Sequence, residues 1–439
     1  MKILDKPSFE MALQAMQRPS GDRDNTFAQL SDRVGKILDR VRAEGDTALL
    51  DLTQQLDGVT IENIRVCDAE IEAAITQVDP DLKMALRTAK NNIEQFHHSQ
   101  HEGVRRIETS PGVVCWRENR PIESVGLYIP GGKAPLISTV LMLGVPAQLA
   151  GCQNIVLCSP PDLHGQIHPA ILYAASLCGI RDVFRVGGSQ AIGAMAYGTS
   201  TVPKVDKIFG PGNQYVTHAK LVVQSTGTAI DMPAGPSEVL VWADDAANPE
   251  FVAADLLAQS EHGPDSQAVL ICDSLQFASR CQEAVISQKS QLSRRSIIDE
   301  ALSHSCIIVV DRGEAIGLIN QYAPEHLIIQ RERHSYDLAD IRHAGSVFIG
   351  PYSPETAGDY ASGTNHTLPT NGYARVYSGV SLDSFVKKIT FQELSMDGLK
   401  GLSDTLRRMS DAEHLDGHRR AVEVRLEFQN HPVDGINKN

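Results

Sequence analysis

The segment 123-ESVGLYIPGG-132 decides the fold, because it is a short run of strand-forming residues that ends at once in proline and glycine. Three later segments follow the same plan: NIVLCSPP (154–161), DVFRVGGSQ (182–190) and DKIFGPGNQ (206–214). Short apolar runs flanked by Gly or Pro are typical of buried strands. Helical patterns such as HPAILYAASLCG (168–179) fill the intervals. This alternation predicts a parallel sheet with helices on its faces.

A second region of the same kind extends from about residue 237 to residue 381. It contains five predicted strands, which are EVLVWA (238–243), QAVLICD (267–273), CIIVVD (306–311), HLIIQ (326–330) and GSVFIG (345–350). The two regions have the same alternation of strands and helices, and a divergent duplication is one interpretation of this. The fold class predicted for the chain is therefore α/β.

Helices are predicted at both ends of the chain. The segment 31–57 repeats apolar residues at helical spacing after a cap at Ser31 or Asp32, and residues 79–100 form a second amphipathic pattern. The charged part after about residue 382 returns to helical patterns and follows a sheet that is already complete. We expect this tail to pack on another domain or on another subunit.

The composition limits the class of function. The chain has 439 residues, of which 42% are hydrophobic and 21% are charged, as in a globular protein of more than one domain. A net charge of −14 argues against a nucleic-acid partner. The sequence contains no run of about 18 apolar residues, so no membrane span is predicted. The N-terminal segment lacks the apolar core of a secretory signal. The eight cysteines form no CxxC pair, which favours free thiols in a reducing cytoplasm.

The segment NPEFVAADLLAQSEHGP (248–264) is a predicted helix with Asn248 as its N-cap and Pro249 in its first turn. Gln259 and His262 are three residues apart and share a face near its end. Both side chains have lone pairs that could meet one ion. The alternative is a capped surface helix whose last histidine favours the negative end of the helix dipole.

The segment GDYASGTNHTLPTNG (358–372) reads as a loop that carries many polar side chains. Asp359 and His366 provide a carboxylate and an imidazole, which suit zinc. The alternative is an ordinary hydroxyl-rich turn.

Two further segments pair acids with histidines. In APEHL (323–327), Glu325 and His326 can converge only on a turn, and there they would form an acid/base pair. In SDAEHLDGHRRAV (410–422), Ser410 and Glu413 fit a capping box, and the pattern breaks before His418. The alternative for each segment is a capped loop or helix start.

Two glycine turns, VGGSQAIG (186–193) and FGPGNQYV (209–216), join predicted strands to helices. Backbone amides at such a turn bind anions, including the pyrophosphate of a dinucleotide. Neither turn matches GxGxxG, so the nucleotide signal is weak. GGSQA (187–191) also approaches the GxSxG elbow of hydrolases, which makes Ser189 a candidate nucleophile in a competing hydrolase interpretation.

Taken together, five segments resemble histidinol dehydrogenases in order and spacing, over about residues 25–425. They are FGPGNQYV (209–216), AGPSEVLV (234–241), LLAQSEHG (256–263), APEHLIIQ (323–330) and GDYASGTNHTLPT (358–370). The resemblance implies an NAD-dependent, four-electron oxidation of L-histidinol to L-histidine through a bound aldehyde, the last step of histidine biosynthesis (EC 1.1.1.23). A hydrolase and a nonenzymatic metal-binding protein are the competing interpretations.

The resemblance also implies the site residues. The zinc ligands would be Gln259, His262, Asp359 and His418, with one Zn²⁺ per subunit, and the catalytic pair would be Glu325 and His326. The substrate would be contacted by Ser237, Gln259, His262, His326, Asp359, Glu413 and His418. NAD⁺ would be contacted by Tyr128, Gln190 and Asn213, and His366 would line the substrate pocket.

The organisation implied by the resemblance is two incomplete Rossmann-like domains with parallel-rich sheets and small helical parts at both termini. The predicted borders are a helical segment 1–25, a first α/β domain 26–127 plus 237–381, a second Rossmann-like domain 128–236, and a helical tail 382–439. The tail would pack on the partner subunit of a cytoplasmic homodimer with shared active sites. Neither a nucleic acid nor a membrane is an expected partner.

Overall fold

The computed structural model describes residues 1–19, 23–131, 135–233, 235–332 and 338–428. The strands in these residues are β1 (Lys2–Asp5), β2 (Ile107–Ser110), β3 (Val113–Pro121), β4 (Ser124–Tyr128), β5 (Asn154–Ser159), β6 (Asp182–Arg185), β7 (Lys207–Phe209), β8 (Ala229–Ile230), β9 (Glu238–Ala243), β10 (Gln267–Cys272), β11 (Cys306–Val309), β12 (His326–Gln330), β13 (Ser346–Ile349) and β14 (Val386–Leu394).

The α-helices are α1 (Phe9–Ala15), α2 (Arg23–Glu44), α3 (Asp46–Asp57), α4 (Asp68–Gln77), α5 (Pro80–His98), α6 (Ile137–Ala150), α7 (Pro169–Leu177), α8 (Gly188–Tyr197), α9 (Gln214–Ser225), α10 (Pro249–Ser260), α11 (Leu275–Lys289), α12 (Arg295–Ser303), α13 (Arg312–Tyr322), α14 (Glu355–Tyr360), α15 (Met396–Ala412) and α16 (Asp416–Phe428). Short 3₁₀ turns occur at Leu338–Asp340, Tyr373–Arg375 and Leu382–Phe385.

The chain forms two compact units. The first unit comprises Met1–Gln100 and Ile122–Phe385, and the second comprises His101–Pro121 and Val386–Asn439. The first unit contains both parallel sheets. The four-part division by residue ranges given above stays a prediction.

One parallel sheet of the first unit has the strand order β6-β5-β4-β7-β8. Numbered within the sheet this order is 3-2-1-4-5, as in a Rossmann-like unit. The order reverses between β4 and β7, and ligands of such sheets bind at the carboxyl ends of the strands at that point.

The other parallel sheet has the strand order β1-β11-β10-β9-β12-β13. Its strands β9 to β13 repeat the order 3-2-1-4-5, with β1 added at the edge beside β11. Both regions of strand and helix therefore have one topology, which is what a duplication would leave.

Both faces of this second sheet are covered, so its strands read as continuous apolar runs. Along β9, Val239 and Val241 pack into the apolar cluster on one face, whereas Leu240 and Trp242 pack into the cluster on the other. The side chains of successive strand residues point to opposite faces, and here each face is apolar. The predicted α/β fold with two parallel sheets is confirmed.

Three features near the termini differ from the sequence interpretation. The helix expected to begin at Ser31 or Asp32 begins at Arg23, and Asp32 instead pairs with Lys36 one turn later, at 2.6 Å. The N-terminal segment contains β1, and the C-terminal part contains β14 in addition to helices. Gly132, the last residue of the segment ESVGLYIPGG, and residues 429–439 of the predicted helical tail lie outside the described residues.

The second unit contains an antiparallel sheet of order β14-β3-β2 together with α15 and α16. Strand β14 pairs with β3 along its whole length, from Val386 opposite Pro121 to Leu394 opposite Val113. Across the described ranges of both units, no helix combines the length and the apolar character needed to cross a bilayer.

Candidate active site

The candidate active site lies where the central strands of the second parallel sheet begin. Glu238 is the first residue of β9, His326 is the first residue of β12, and Glu325 directly precedes His326. Strands β9 and β12 are parallel neighbours, with His326 opposite Val239, so their starting residues meet at one edge. This is the amino edge of the sheet, opposite to the edge at which Rossmann-like units usually bind ligands.

Glu325 and His326 converge because the chain turns sharply just before them. Helix α13 ends at Tyr322, and its C-cap Ala323 has a left-handed backbone (φ 52°, ψ 67°). Glu325 Oε2 lies 3.7 Å from His326 Nδ1, and both side chains are buried. Glu325 Oε2 also accepts a hydrogen bond of 2.9 Å from the Glu238 N–H. Glu325 lies in the bend before β12 and His326 is the first residue of that strand, so the two side chains converge where the strand begins.

The surroundings of His326 decide which of its nitrogens carries the proton. Nδ1 lies near three acceptors, the Glu238 carbonyl at 3.3 Å, Glu325 Oε2 at 3.7 Å and Glu355 Oε1 at 3.9 Å, and near one donor, the amide nitrogen of Gln259 at 3.2 Å. Because the two hydrogens of that amide can both go to Glu355, a hydrogen on Nδ1 fits the three acceptors and leaves the lone pair on Nε2. Nε2 is buried without a hydrogen-bond partner and lies 3.7 Å from Asp359 Oδ1. Nε2 is therefore the atom that can accept a proton from a ligand.

Burial and mutual repulsion shift the ionisation of this cluster. Burial raises the pKa of Glu325 to about 7 and that of Glu355 to about 8. Burial alone would lower the pKa of His326, but the carboxylates of Glu355, Glu325 and Asp359 outweigh it and raise that pKa above its ordinary value. Glu325 and Glu355 thus change protonation close to neutral pH, as acid/base chemistry requires.

Helices α10 and α14 bring metal-binding atoms to the same place. The N-cap of α10 is formed as expected, with Asn248 accepting from the Glu250 N–H at 3.0 Å. One ligand atom from each of His262, Glu355 and Asp359 lies within 4.8 Å of the others. One imidazole nitrogen and two carboxylate oxygens suit a zinc ion. Asp359 lies on α14, so the segment predicted as a loop is partly helical.

Gln259 is fully buried on α10 and touches this cluster through its amide. With the amide oriented so that Nε2 donates, it lies 2.6 and 3.0 Å from the two carboxylate oxygens of Glu355. The amide nitrogen of Gln259 also lies 3.2 Å from His326 Nδ1. Because both hydrogens of that amide can go to Glu355, His326 Nδ1 can keep its own hydrogen. Glu355 thereby fixes the amide, so that Oε1 is the atom available to a metal ion.

We expect Glu355→Gln to lower the affinity for Zn²⁺ by about 10- to 100-fold, the usual effect of losing a group that orients a metal ligand. The new side chain keeps the shape but sets an NH₂ group against the NH₂ of Gln259, so the amide can turn over. Competition with a chromogenic chelator measures the affinity without reference to activity. Glu261→Gln is the matched control, because it removes a charge beside His262 but no bond to Gln259. A similar loss in both variants would show that charge alone is responsible.

Two other residues predicted for the site, Ser237 and His366, make their own contacts near this cluster or its proposed ligands. Ser237 is half-buried before β9, and its carbonyl accepts from the Gln267 N–H at 3.2 Å. His366 is half-buried, with Nδ1 2.9 Å from the Asp359 carbonyl and Nε2 3.1 Å from Thr139 Oγ1. It therefore supports the backbone of a proposed ligand.

Glu413 and His418 lie in the second unit and are exposed. The capping box expected there is absent: Ser410 lies inside α15 and donates to the Leu406 carbonyl at 2.8 Å, and Glu413 is the C-cap of that helix. Helix α16 begins at Asp416, and His418 is in its first turn.

The proposed cofactor residues lie around the strand reversal of the Rossmann-like sheet. Tyr128 ends β4, and its hydroxyl accepts from the Gly188 N–H at 3.1 Å. Asn213 caps α9 by accepting from the Tyr215 N–H at 3.0 Å. Gly210 (φ +132°) follows β7, where a Cβ atom would lie 2.1 Å from the Tyr128 carbonyl oxygen, so only glycine fits.

Gln190 lies in the first turn of α8, after β6. Its side-chain oxygen and nitrogen are both buried without a hydrogen-bond partner. A buried amide with two unsatisfied atoms costs free energy unless a ligand satisfies it. This observation supports a polar ligand at the carboxyl ends of these strands.

The corresponding crevice of the second sheet is bridged by protein groups. Arg331, which follows β12, donates to the Ala243 carbonyl at 3.1 Å and to both carboxylate oxygens of Asp273 at 2.8 Å. Its guanidinium also lies over the Trp242 ring. The two sheets share a strand order, but at this edge the second one holds an ion pair.

The sequence interpretation missed Glu355 and Glu238. Glu355 and Asp359 are four residues apart, which places them on one face only if the segment is helical, whereas the polar, glycine-rich sequence from residue 358 predicts a loop. Glu238 belongs to the quoted segment AGPSEVLV (234–241), yet nothing in its spacing points to a role.

Comparison with known proteins supports one assignment. The model of the histidinol dehydrogenase family matches residues 21–426. The chain is 54% identical to histidinol dehydrogenase of Bacteroides thetaiotaomicron over 97% of this chain and 99% of the relative. It is 54% identical to that of Vibrio vulnificus over 92% and 93%. The crystal structure of histidinol dehydrogenase from Elizabethkingia anophelis is similar with a TM-score of 0.94, 52% identity, and coverage of 98% of this chain and 99% of that one.

Proposed function

Because this chain belongs to the histidinol dehydrogenase family, we infer that it oxidises L-histidinol to L-histidine with NAD⁺, and we propose how its residues divide the work. The reaction removes four electrons in two steps through a bound aldehyde and ends histidine biosynthesis. The observation that carries the proposal for the site is the buried couple of Glu325 and His326 beside a cluster of metal-binding side chains.

His326 is the proposed base for both oxidations. Each oxidation transfers a hydride to the nicotinamide and a proton to the protein. Nε2 is unpartnered and buried, and a hydrogen on Nδ1 would be held by the Glu238 carbonyl. An imidazole fixed in this way can take the hydroxyl proton of the alcohol first and of the hydrated aldehyde later.

Glu325 is the proposed base for hydration of the aldehyde. Water must add to the aldehyde before the second hydride can leave. A carboxylate with its pKa raised to about 7 by burial can accept a proton from that water. Its bond to the Glu238 N–H keeps it beside His326.

The proposed metal site uses Gln259, His262 and Asp359 of one chain and His418 of a second copy, with one Zn²⁺ per subunit. The imidazole, carboxylate and amide donors fit this ion. When bound, the ion would orient the substrate through its imidazole and amino groups. Ser237 and Glu413 are proposed to contact the substrate as well.

The proposed assembly is a homodimer with shared active sites. The exposure of Glu413 and His418 on the second unit supports a role toward another copy of the chain. The NAD⁺ contacts are proposed at Tyr128, Gln190 and Asn213, supported by the unsatisfied amide of Gln190. A cytoplasmic location is proposed as well, supported by eight free cysteines, which persist in reducing compartments.

The deciding experiment measures the NADH formed per histidinol consumed, together with the metal content of the protein. We expect two NADH per histidinol and one zinc ion per chain. A yield of one NADH would mean that the reaction stops at the aldehyde, and no NADH would contradict the function.

A further inference from the structure

A buried ion pair joins the N-terminal segment to the start of the central strand. Arg18, which follows α1, donates from Nε and Nη2 to the two carboxylate oxygens of Glu238, the second bond being 2.7 Å long. The Glu238 side chain is 2% exposed and that of Arg18 is 20% exposed. The carboxylate is therefore taken out of water. It is held mainly by one guanidinium, with the Tyr322 hydroxyl as a more distant donor at 3.4 Å from Glu238 Oε2.

Stability does not account for such a pair. Removing two charges from water costs free energy that their attraction only partly returns, and well-packed apolar residues often serve as well or better. The contacts made by the main chain of Glu238 suggest another role. Its N–H donates to Glu325 Oε2 at 2.9 Å, and its carbonyl lies 3.3 Å from His326 Nδ1. The peptide groups of one residue thus hold both members of the catalytic couple.

Arg18 also contacts the chain just before Glu325, at the end of helix α13. Its Nη2 donates to the Tyr322 carbonyl at 2.8 Å, and its guanidinium lies 4.0 Å from the centre of the Tyr322 ring. Tyr322 is the last residue of α13, three residues before Glu325. The guanidinium of Arg18 therefore connects the start of strand β9, which contacts Glu325 and His326, with the end of helix α13, which precedes them in the chain.

We propose that Arg18 and Glu238 are positioning residues, which hold the main chain of residue 238 and the turn after Tyr322 so that Glu325 and His326 keep their reactive geometry. The proposal rests on the proposed roles of Glu325 and His326. Because misplacement of a reacting group by about 1 Å can cost about 10²-fold in rate, the pair acts on kcat. Neither residue is assigned a contact with substrate, so KM changes little.

The test uses the double variant Arg18→Met/Glu238→Gln, in which no buried charge is left uncompensated. In the full-length, zinc-loaded protein we expect kcat to fall by about 10- to 100-fold, with KM for histidinol and for NAD⁺ within about threefold. Both oxidations should slow together, because the pair supports both members of the couple, so the yield stays at two NADH per histidinol. Arg18→Lys should recover part of the rate, since a lysine keeps the charge but lacks the two-pronged geometry.

Ser305→Ala is the matched control. It removes a buried hydroxyl that accepts from the Ala268 N–H at 3.0 Å and donates to the Ala301 carbonyl at 2.9 Å, with no bond to Arg18 or Glu238, so the melting temperature should fall while kcat stays unchanged. Rates are compared per folded, zinc-loaded chain, and Arg18→Lys decides the matter if the double variant does not fold. A kcat within twofold of wild type in the deciding variant would overturn the proposal. An inactive wild-type protein would instead count against the proposed function.

Discussion

Replacing His326 by asparagine should lower kcat by about 10²- to 10⁴-fold, the usual contribution of a positioned general base. Asparagine can keep a hydrogen bond near the Glu238 carbonyl, but it offers no basic nitrogen where Nε2 lies. The zinc content should not change, because His326 is not among the proposed ligands. Steady-state NADH formation and metal analysis of the same sample measure both quantities.

The pH dependence gives this prediction a second readout. In the wild-type protein kcat should fall as the pH falls, because protonation of Nε2 removes the base. The neighbouring carboxylates raise the pKa of His326 and so move this fall toward higher pH, whereas a bound cation lowers that pKa again. In His326→Asn the fall assigned to this group should disappear. His164→Asn, which changes an exposed imidazole, should keep both the rate and the profile, and an unchanged profile in His326→Asn would contradict the assignment.

The central strands could be predicted from the sequence because a strand that is buried on both faces is a continuous apolar run. Such a run is recognisable without an alternation of apolar and polar residues. The nine predicted strands are short apolar runs between Gly, Pro or polar residues, and the structure contains all of them. Strand β1 escaped because its four residues begin with Lys2 and end with Asp5, as befits an edge strand. Strand β14 escaped because it mixes charged and apolar residues and begins without a Gly or Pro signal.

The site could be predicted only where its residues are close in sequence or belong to a known pattern. Glu325 and His326 are adjacent, and Gln259 and His262 share a helix face, so each pair was visible in the sequence. The Arg18–Glu238 pair joins residues 220 apart in the chain, and no periodicity predicts a contact of that kind. Glu355 is an intermediate case. It is close to Asp359 in the sequence, but the four-residue spacing indicates a shared face only when α14 is known to be a helix.

Glu325→Gln should separate the two oxidations. Glutamine has the size of glutamate, and its amide oxygen can still accept from the Glu238 N–H, a bond of 2.9 Å in the wild-type protein. What the variant loses is a group able to take a proton from water. We expect the oxidation of aldehyde to acid to slow by about 10²-fold or more, and the oxidation of alcohol to aldehyde, which consumes no water, to slow by less than about tenfold.

The measurement follows a single turnover, with enzyme in excess over histidinol and with NADH and the organic products sampled over time. The wild-type protein should release NADH to a yield of two without free aldehyde. The variant should reach a yield near one rapidly and approach two slowly, while aldehyde is recovered after quenching. Glu238→Gln is the comparison: through the main chain of residue 238 it should disturb Glu325 and His326 alike and slow both steps. Equal slowing of both oxidations in Glu325→Gln would mean that this carboxylate serves the geometry of His326 and is not the base that activates water.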